Sequence, residues 1–315
     1  MYEYQPLNTA VLFLVFNRLD TTTQVFEEIR KAQPPRLYVA SDGPRDSREN
    51  EQTVVDEVRD FILANIDWPC EIHRLFRDKN LGCKTAVSSA IDWFFEHEES
   101  GIILEDDCLP DPSFFRFCEE MLVKYDTDER IMHVTGNNQV STIMVSNSYS
   151  YTKHCSIWGW ATWRRAWEHY DVGITSWKKP NIRNGVLSYF YGIGNNSNFI
   201  NIFDNVYNGL IDTWDYQWVF SIAAQSGLSV MPSVNLIKNI GHGHPEAVHT
   251  ASADVPMAKL VAGRVDFPLA KNRYVVVDND LDHALFRAGN LAFSQRLYRK
   301  ISRILNKFLV LIGIK

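Results

Sequence analysis

Glu105-Asp106-Asp107 sets three carboxylates in succession directly after the apolar stretch Ile102-Ile103-Leu104. Adjacent like charges repel, so three at the end of a strand cost stability unless a cation compensates them. Hard oxygen ligands select Mg²⁺ or Mn²⁺, which bind through one or two carboxylates together with substrate phosphates. The plainer alternative is a solvated acidic turn before a helix near Pro112, although Asp111 already occupies the capping position there. Three histidines, His242, His244 and His249, fall in or after Gly241-His242-Gly243-His244-Pro245, where a loop histidine either completes an oxygen-rich metal site or is merely exposed. Asp215 stands between Trp214 and Tyr216, a partly desolvated setting that suits a general base, and equally at a position where it could cap a helix. Seven of the nine tryptophans lie between Trp158 and Trp218. Within them, Trp158, Trp160 and Trp163 with Arg164 and Arg165 suit stacking on a sugar face and clamping an anion, or else simply form core.

Such residues need a scaffold that brings them together, and the apolar pattern supplies one. Short strands at Val11–Phe16, Leu37–Ala40, Glu71–Phe76, Ile102–Leu104 and Ile131–Thr135 alternate with helical stretches near 21–31, 50–65, 84–98 and 112–124, with Asp20 and Asp111 as candidate caps. Most of these strands are apolar throughout. This pattern predicts an α/β fold with a mainly parallel sheet covered on both faces. Ligands of such sheets bind beyond the carboxyl ends of the strands. The loops at Asn17-Arg18, Ser41 to Arg45, Asp78 to Lys84 and Glu105 to Asp107 are therefore expected on one edge, and their mixture of acids and bases suits a metal–phosphate ligand. After Ser141 the periodicity weakens, and Tyr191 to Ser197 is a Gly/Asn-rich candidate lid.

The 315 residues carry 45% hydrophobic and 22% charged side chains, which excludes disorder and small disulfide scaffolds. The charge is uneven: residues 1–282 hold 25 basic and 38 acidic side chains, whereas 283–315 hold seven basic and no acidic ones. A body this acidic argues against nucleic acid as a partner. Five cysteines without metal-ligand spacing (Cys70, Cys83, Cys108, Cys118, Cys155), no long apolar span and no leader-like start lead to the expectation of a cytoplasmic protein.

Taken in order, Phe16-Asn17-Arg18, Ser41-Asp42-Gly43-Pro44-Arg45, Arg77-Asp78-Lys79-Asn80-Leu81-Gly82 and Leu104-Glu105-Asp106-Asp107, with Pro110 to Phe115 behind, resemble the GT-A nucleotide-diphospho-sugar transferases, and most closely the inverting N-acetylglucosaminyltransferase I type. The likeness covers about residues 8–252 and continues through Trp158-Gly159-Trp160, Trp214-Asp215 and Gly243 to His249. It implies that Asp107 ligates Mn²⁺ or Mg²⁺, that His249 lines the metal and diphosphate side, and that Glu105 and Asp106 contact the donor's ribose and sugar. It places Asp42 at the nucleotide base, Asn17 and Arg18 at the border of that pocket, and Asp215 as catalytic base, although the family has two adjacent acids where this chain has Asp215-Tyr216. Arg77 and Lys84 are further candidates for the diphosphate, and Trp158 and Trp160 for the acceptor. The activity implied is inverting transfer from a nucleotide-diphospho-sugar, with a UDP-sugar favoured and UDP-GlcNAc as a candidate, to a glycan hydroxyl.

Two other readings stand beside it. A sugar-nucleotide nucleotidyltransferase should have a Gly-rich basic loop after the first strand, where this chain has Phe16-Asn17-Arg18-Leu19. A non-catalytic carbohydrate-binding protein would use the tryptophans and be indifferent to chelators. The expected organisation is a transferase domain at 1–282, with about 8–140 serving the nucleotide-sugar and about 141–260 the acceptor, followed by 283–315. In that last part Leu297, Ile301, Ile304, Leu305, Phe308, Leu311 and Ile312 share one helical face against Arg296, Arg299, Lys300, Arg303 and Lys307. This basic amphipathic helix suits an anionic membrane surface, with a lipid-linked acceptor for surface polysaccharide, or else docks on the acidic body.

Overall fold

The computed structural model describes residues 6–141, 147–193, 196–246, 254–270 and 272–288. In its first half, strands β1 (Ala10–Val15), β2 (Arg36–Ser41), β3 (Glu71–Phe76) and β4 (Ser100–Glu105) alternate with helices α1 (Leu19–Ala32), α2 (Glu51–Ala64) and α3 (Gly82–His97). There follow β5 (Cys108–Pro110), α4 (Ser113–Lys124), β6 (Ile131–Thr135), β7 (Tyr149–Thr152), β8 (Trp160–Trp163) and α5 (Arg164–Trp167). Helices α6 (Pro180–Tyr189), α7 (Asn196–Tyr207) and α8 (Asp215–Ala224) lead to β9 (Leu228–Pro232) and β10 (Ile237–Asn239).

Eight strands form one sheet in the order β3-β2-β1-β4-β8-β6-β9-β7, and β5 and β10 pair separately. The strand pairs β1–β2, β2–β3, β1–β4 and β6–β9 are parallel, while β8 is antiparallel to both its neighbours and β7 antiparallel to β9. The fold is thus α/β with a mainly parallel sheet, as the apolar runs predict. One sheet joins strands from both the 8–140 and the 141–260 parts.

The period of two along a strand explains why β1 is apolar throughout. Val11, Phe13 and Val15 join one core with Val25, Phe26 and Ile29 of α1 and Phe114, Phe117 and Met121 of α4. Ala10, Leu12 and Leu14 join a second core, on the other face, with Ala90, Ile91 and Phe94 of α3 and Trp214 and Trp218 of α8. At Gly101 a Cβ would overlap the Phe94 ring, so the absent side chain lets α3 lie close on β4. A third cluster, around Trp177, Phe190, Phe203 and Phe220, packs the helices of the second half together.

Local signals for helix starts were read half correctly. Asp111 accepts the Ser113 N–H at 2.9 Å and so caps α4, as expected. Asp20, expected to cap α1, lies inside its first turn and instead faces His244, 3.2 Å away. No helix among the described residues is long and apolar enough to cross a membrane. Most of the basic amphipathic segment, from residue 289 onward, lies outside the described residues, as do His249 and two residues of the candidate lid.

Candidate functional site

The order β3-β2-β1-β4 means that the chain winds outward from β1 through β2 to β3 and then returns to the other side of β1. Such a reversal opens a crevice between the carboxyl ends of the two central strands. Register places Leu14 of β1 opposite Glu105 of β4, so Asn17-Arg18 and Glu105-Asp106-Asp107 leave the sheet side by side. Arg18 Nη1 donates to Asp107 Oδ2 at 3.0 Å and Nη2 to Asp106 Oδ1. Burial opposes its charge, yet the fields of Asp106 and Asp107 hold Arg18 above its ordinary pKa.

One guanidinium among three acids leaves negative charge under-compensated. Burial first, then the charges of Asp107 and Asp106, push Glu105 well above the usual carboxylate range. Asp106 is raised as well, by burial and by Asp107, against the opposing pull of Arg18. Glu105 Oε1 and Asp106 Oδ2 are buried without any hydrogen-bond partner among the described residues. An unmade bond on a buried polar atom is costly unless a ligand completes it.

The turn after β4 is held from the other half of the chain. Cys108 of β5 pairs with Asn239 of β10, which brings Asn239 Nδ2 to 3.3 Å from Asp107 Oδ1 and the Ile240 N–H to 2.8 Å from the Asp107 carbonyl. Next in the chain is Gly241, where a Cβ would overlap the Asp107 carboxylate and crowd Arg18; only glycine lets the backbone cross so closely. The segment is fastened further along by His244 to Asp20 and by Glu246 to Arg45 at 3.2 Å and Arg48 at 3.3 Å. Of the three candidate histidines, His244 is thus an anchor, and His242 packs edge-on against Trp158 with ring centroids 5.5 Å apart.

Asp42 is already occupied: its carboxylate accepts the N–H groups of Gly43, Leu81 and Gly82, which ties the end of β2 to the start of α3. Burial still raises its pKa above the ordinary value despite those bonds. Arg77 donates to Ser89 at 2.8 Å, while the half-buried Lys84 ammonium makes no hydrogen bond or ion pair among the described residues. Asp215 opens α8, and its Oδ1 accepts from the Thr213 hydroxyl and from the Tyr216 N–H at 2.9 Å. Its Oδ2 accepts no hydrogen bond among the described residues. Asp215 and Glu105 share one neighbourhood: burial, followed by the fields of Glu105, Asp215, Asp212 and Asp42, pushes the Cys83 thiol up to about 12.

The tryptophans divide. Trp158 is half-buried at this edge, but Trp160 has no exposed surface and is stacked on Trp214 at 5.7 Å between centroids, with Trp218 and Trp167 close by. The expected acceptor contact at Trp160 is corrected on this ground: it supports the wall that carries α8. Trp160→Ala should destabilise the fold by about 3–5 kcal/mol in urea denaturation. Arg164 and Arg165 are not anion clamps either. Because β8 is antiparallel it carries the chain to the opposite edge, where Arg164 pairs with Glu99 at 2.7 Å and Arg165 donates to the carbonyls of Tyr125, Asp126 and Ile131.

Two structural supports had no place among the sequence candidates. Arg59, buried on the apolar stripe of α2, donates to Ser41 Oγ at 3.0 Å, to the Asp42 carbonyl at 3.2 Å and to the Arg77 carbonyl at 2.7 Å, and so joins the ends of β2 and β3. Glu51, 5% exposed, accepts from Asn17 Nδ2 at 2.9 Å and from Arg45. A charged residue in register with buried Val55, Val58 and Ile62 was the only available signal for Arg59.

Among the described residues, no three His, Cys, Asp or Glu side chains are grouped to hold a metal by themselves. Unpartnered carboxylate oxygens beside Asp107 do fit a hard divalent cation of the kind that takes one or two protein carboxylates and completes its shell with substrate phosphates.

No family model matches the chain, and no curated protein matches it. Among solved structures it is similar to UDP-glucose pyrophosphorylase complexed with UDP-glucose, at 12% identity over 75% of this chain and 94% of the other, with a TM-score of 0.37. Similarity to residues 1–349 of TarS from S. aureus is 10% in identity over 73% of this chain and 59% of that one, with a TM-score of 0.38. For glycosyltransferase GlyE from Streptococcus pneumoniae TIGR4 the figures are 11%, 62% and 43%, with a TM-score of 0.27. These likenesses are distant in sequence and shape, and the chemistry of the site has to be judged from its own residues.

Proposed function

We propose that this chain is a metal-dependent, inverting glycosyltransferase that moves a sugar from a nucleotide-diphospho-sugar, with a UDP-sugar favoured, to a hydroxyl of a glycan. The observation that carries this reading is the cluster at the carboxyl ends of β1 and β4, where Arg18 spans Asp106 and Asp107 while Glu105 and Asp106 keep buried oxygens without hydrogen-bond partners among the described residues. A sugar nucleotide brings both what those oxygens lack, hydroxyl donors, and what the mixed charges attract, a diphosphate with its cation.

Asp107 would hold the cation, with His249 beside it on the strength of the resemblance, and the chemistry so supplied is neutralisation of charge on the departing diphosphate. Lys84 and Arg77, in and before the first turn of α3, supply positive charge to the same group. Glu105, pushed towards its protonated form by burial, can donate a hydrogen bond to a sugar hydroxyl. Asp215 is held through Oδ1 by Thr213 and Tyr216 and so presents Oδ2 to the acceptor hydroxyl, whose proton it takes as the oxygen attacks the anomeric carbon. The charge build-up at that carbon resembles the oxocarbenium-like transition state of glycoside hydrolysis. Trp158 offers a face for the acceptor sugar. A lipid-linked acceptor at a membrane surface belongs to the same proposal and depends on residues 289–315.

Calorimetric titration of UDP and of GDP, each with Mn²⁺ and with EDTA, tests the donor site. One nucleotide should bind with Mn²⁺ and at least roughly tenfold more weakly with EDTA, the step of about 1.4 kcal/mol that one good charged contact supplies. Binding of neither nucleotide by folded protein, with glycan binding that ignores EDTA, would favour the carbohydrate-binding alternative. Release of pyrophosphate from UTP and a sugar 1-phosphate, without transfer from a UDP-sugar, would favour the nucleotidyltransferase.

A further inference from the structure

We propose that Arg18 is an exchangeable counter-ion, which holds Asp106 and Asp107 when no divalent cation is bound and gives up Asp107 when one binds. The inference rests on the metal-dependent reading of this site and adds a competition between a side chain and the cation for the same oxygen.

The two oxygens of Asp107 are differently engaged. Oδ1 accepts from Asn239 Nδ2 at 3.3 Å and from the Cys108 thiol at 3.4 Å, both neutral donors from the β5–β10 pair. Oδ2 receives Arg18 at 3.0 Å, its one hydrogen-bond donor among the described residues. A cation ligated through Asp107 needs an outward oxygen, and Oδ2 is the one not spent on fixing the turn. Arg18 therefore stands where the cation's positive charge has to be.

The exchange is possible because the Arg18 side chain is bound only through its guanidinium among the described residues, while its carbonyl stays with α1, accepting from the Thr22 N–H at 3.0 Å and the Thr21 hydroxyl at 3.3 Å. It precedes α1 with φ −119° and ψ 83°, outside helical geometry, so its side chain can move without unwinding the helix. The backbone at Gly241 closes one side of the pair, since a Cβ there would overlap Asp107 and crowd the guanidinium. The side chains of Arg18, Asp106 and Asp107 keep 14%, 4% and 9% of their exposure, so their charges are poorly screened and each partner matters to the others. With Arg18 in place the three acids remain short of positive charge, and Glu105 Oε1 and Asp106 Oδ2 still lack hydrogen-bond partners among the described residues. A doubly charged ion meets that deficit better than one guanidinium. Asp106 Oδ1 keeps its bond from Arg18 Nη2 throughout, so release of Asp107 does not strand the guanidinium without a counter-charge.

Titration of free Mn²⁺ by electron paramagnetic resonance, without nucleotide, tests the competition on the full chain. Arg18→Gln should bind Mn²⁺ roughly tenfold or more tightly than the wild type, the size of effect seen for coupling between close charges. Arg18→Lys, which keeps the charge but loses the fork, should fall between them, and Asp107→Asn should not bind. If Arg18→Gln fails to fold, Arg18→Lys bears the test alone with a smaller gain. In thermal melts, Mn²⁺ should stabilise Arg18→Gln more than the wild type. Wild-type binding that is lost in Asp107→Asn but unchanged or weakened in Arg18→Gln would overturn the exchange and leave the metal site standing. Absence of Mn²⁺ binding in the wild type and in both Arg18 variants would overturn the exchange, whereas the metal reading itself falls only if nucleotide affinity is the same in Mn²⁺ and in EDTA.

Discussion

Asp107→Asn is expected to abolish sugar transfer, by roughly 10³-fold or more, and to remove the dependence of nucleotide binding on Mn²⁺. The substitution leaves an amide of nearly the same size, whose oxygen still accepts from Asn239 and Cys108 beside the kept backbone bond from Ile240, while its NH2 replaces the oxygen that accepted from Arg18. What goes is one negative charge at the one point where Arg18, the turn after β4 and the Gly241 crossing meet. Stability should change little, because loss of the Arg18 bond is opposed by relief of the like charge that raises Glu105 and Asp106. Activity and stability thus separate, which a merely structural acid would not allow. Initial rates with a UDP-sugar panel, combined with nucleotide titrations in Mn²⁺ and in EDTA, measure the effect. Transfer retained within tenfold by a folded variant would remove Asp107 from the mechanism.

Asp215→Asn should lower kcat by about 10²–10⁴-fold while nucleotide affinity in Mn²⁺ stays within about twofold of the wild type. An asparagine keeps an acceptor oxygen for Thr213 and for the Tyr216 N–H, so the start of α8 is preserved. Only the capacity to take a proton at the second oxygen is lost. Asp212, three residues earlier and exposed, is the natural control, because its field also reaches Cys83. Asp212→Asn should leave kcat unchanged. A reversal of the two results would move the base to Asp212 and shift the resemblance by three positions, at the one place where this chain departs from the paired acids of the family it resembles.

How far these residues could be read in advance depended on the kind of information each one needed. Glu105-Asp106-Asp107 and Asn17-Arg18 were legible because the apolar runs before them, buried on alternate faces by α1 and α4 on one side and α3 on the other, declare parallel strands. Parallel strands put their carboxyl ends on one edge whatever the rest of the chain does. The capping of α4 by Asp111 was legible for a similar reason, since it is a contact over two residues.

Contacts over long separations were not legible. Nothing local marks Asn239 and Gly241 as neighbours of Asp107, because that proximity is made by the β5–β10 pairing across 132 positions. Nor does composition separate Trp158 from Trp160, or forecast that Arg164 and Arg165 lie at the far edge. The antiparallel insertion of β8 decides both: Trp160 opens the strand and is covered by Trp167, Trp214 and Trp218, whereas Trp158 precedes it, and the strand's direction carries the following residues away from the site. By itself, then, the sequence determined the class of fold, the edge of the sheet at which the loops after the parallel strands gather and the acids at that edge, because hydrophobic period and strand ends are local properties. Tertiary structure alone decided which partner each acid has, that Arg18 stands where a cation would be needed and that the tryptophans are mostly wall, because pairing and burial depend on chain segments far apart in sequence.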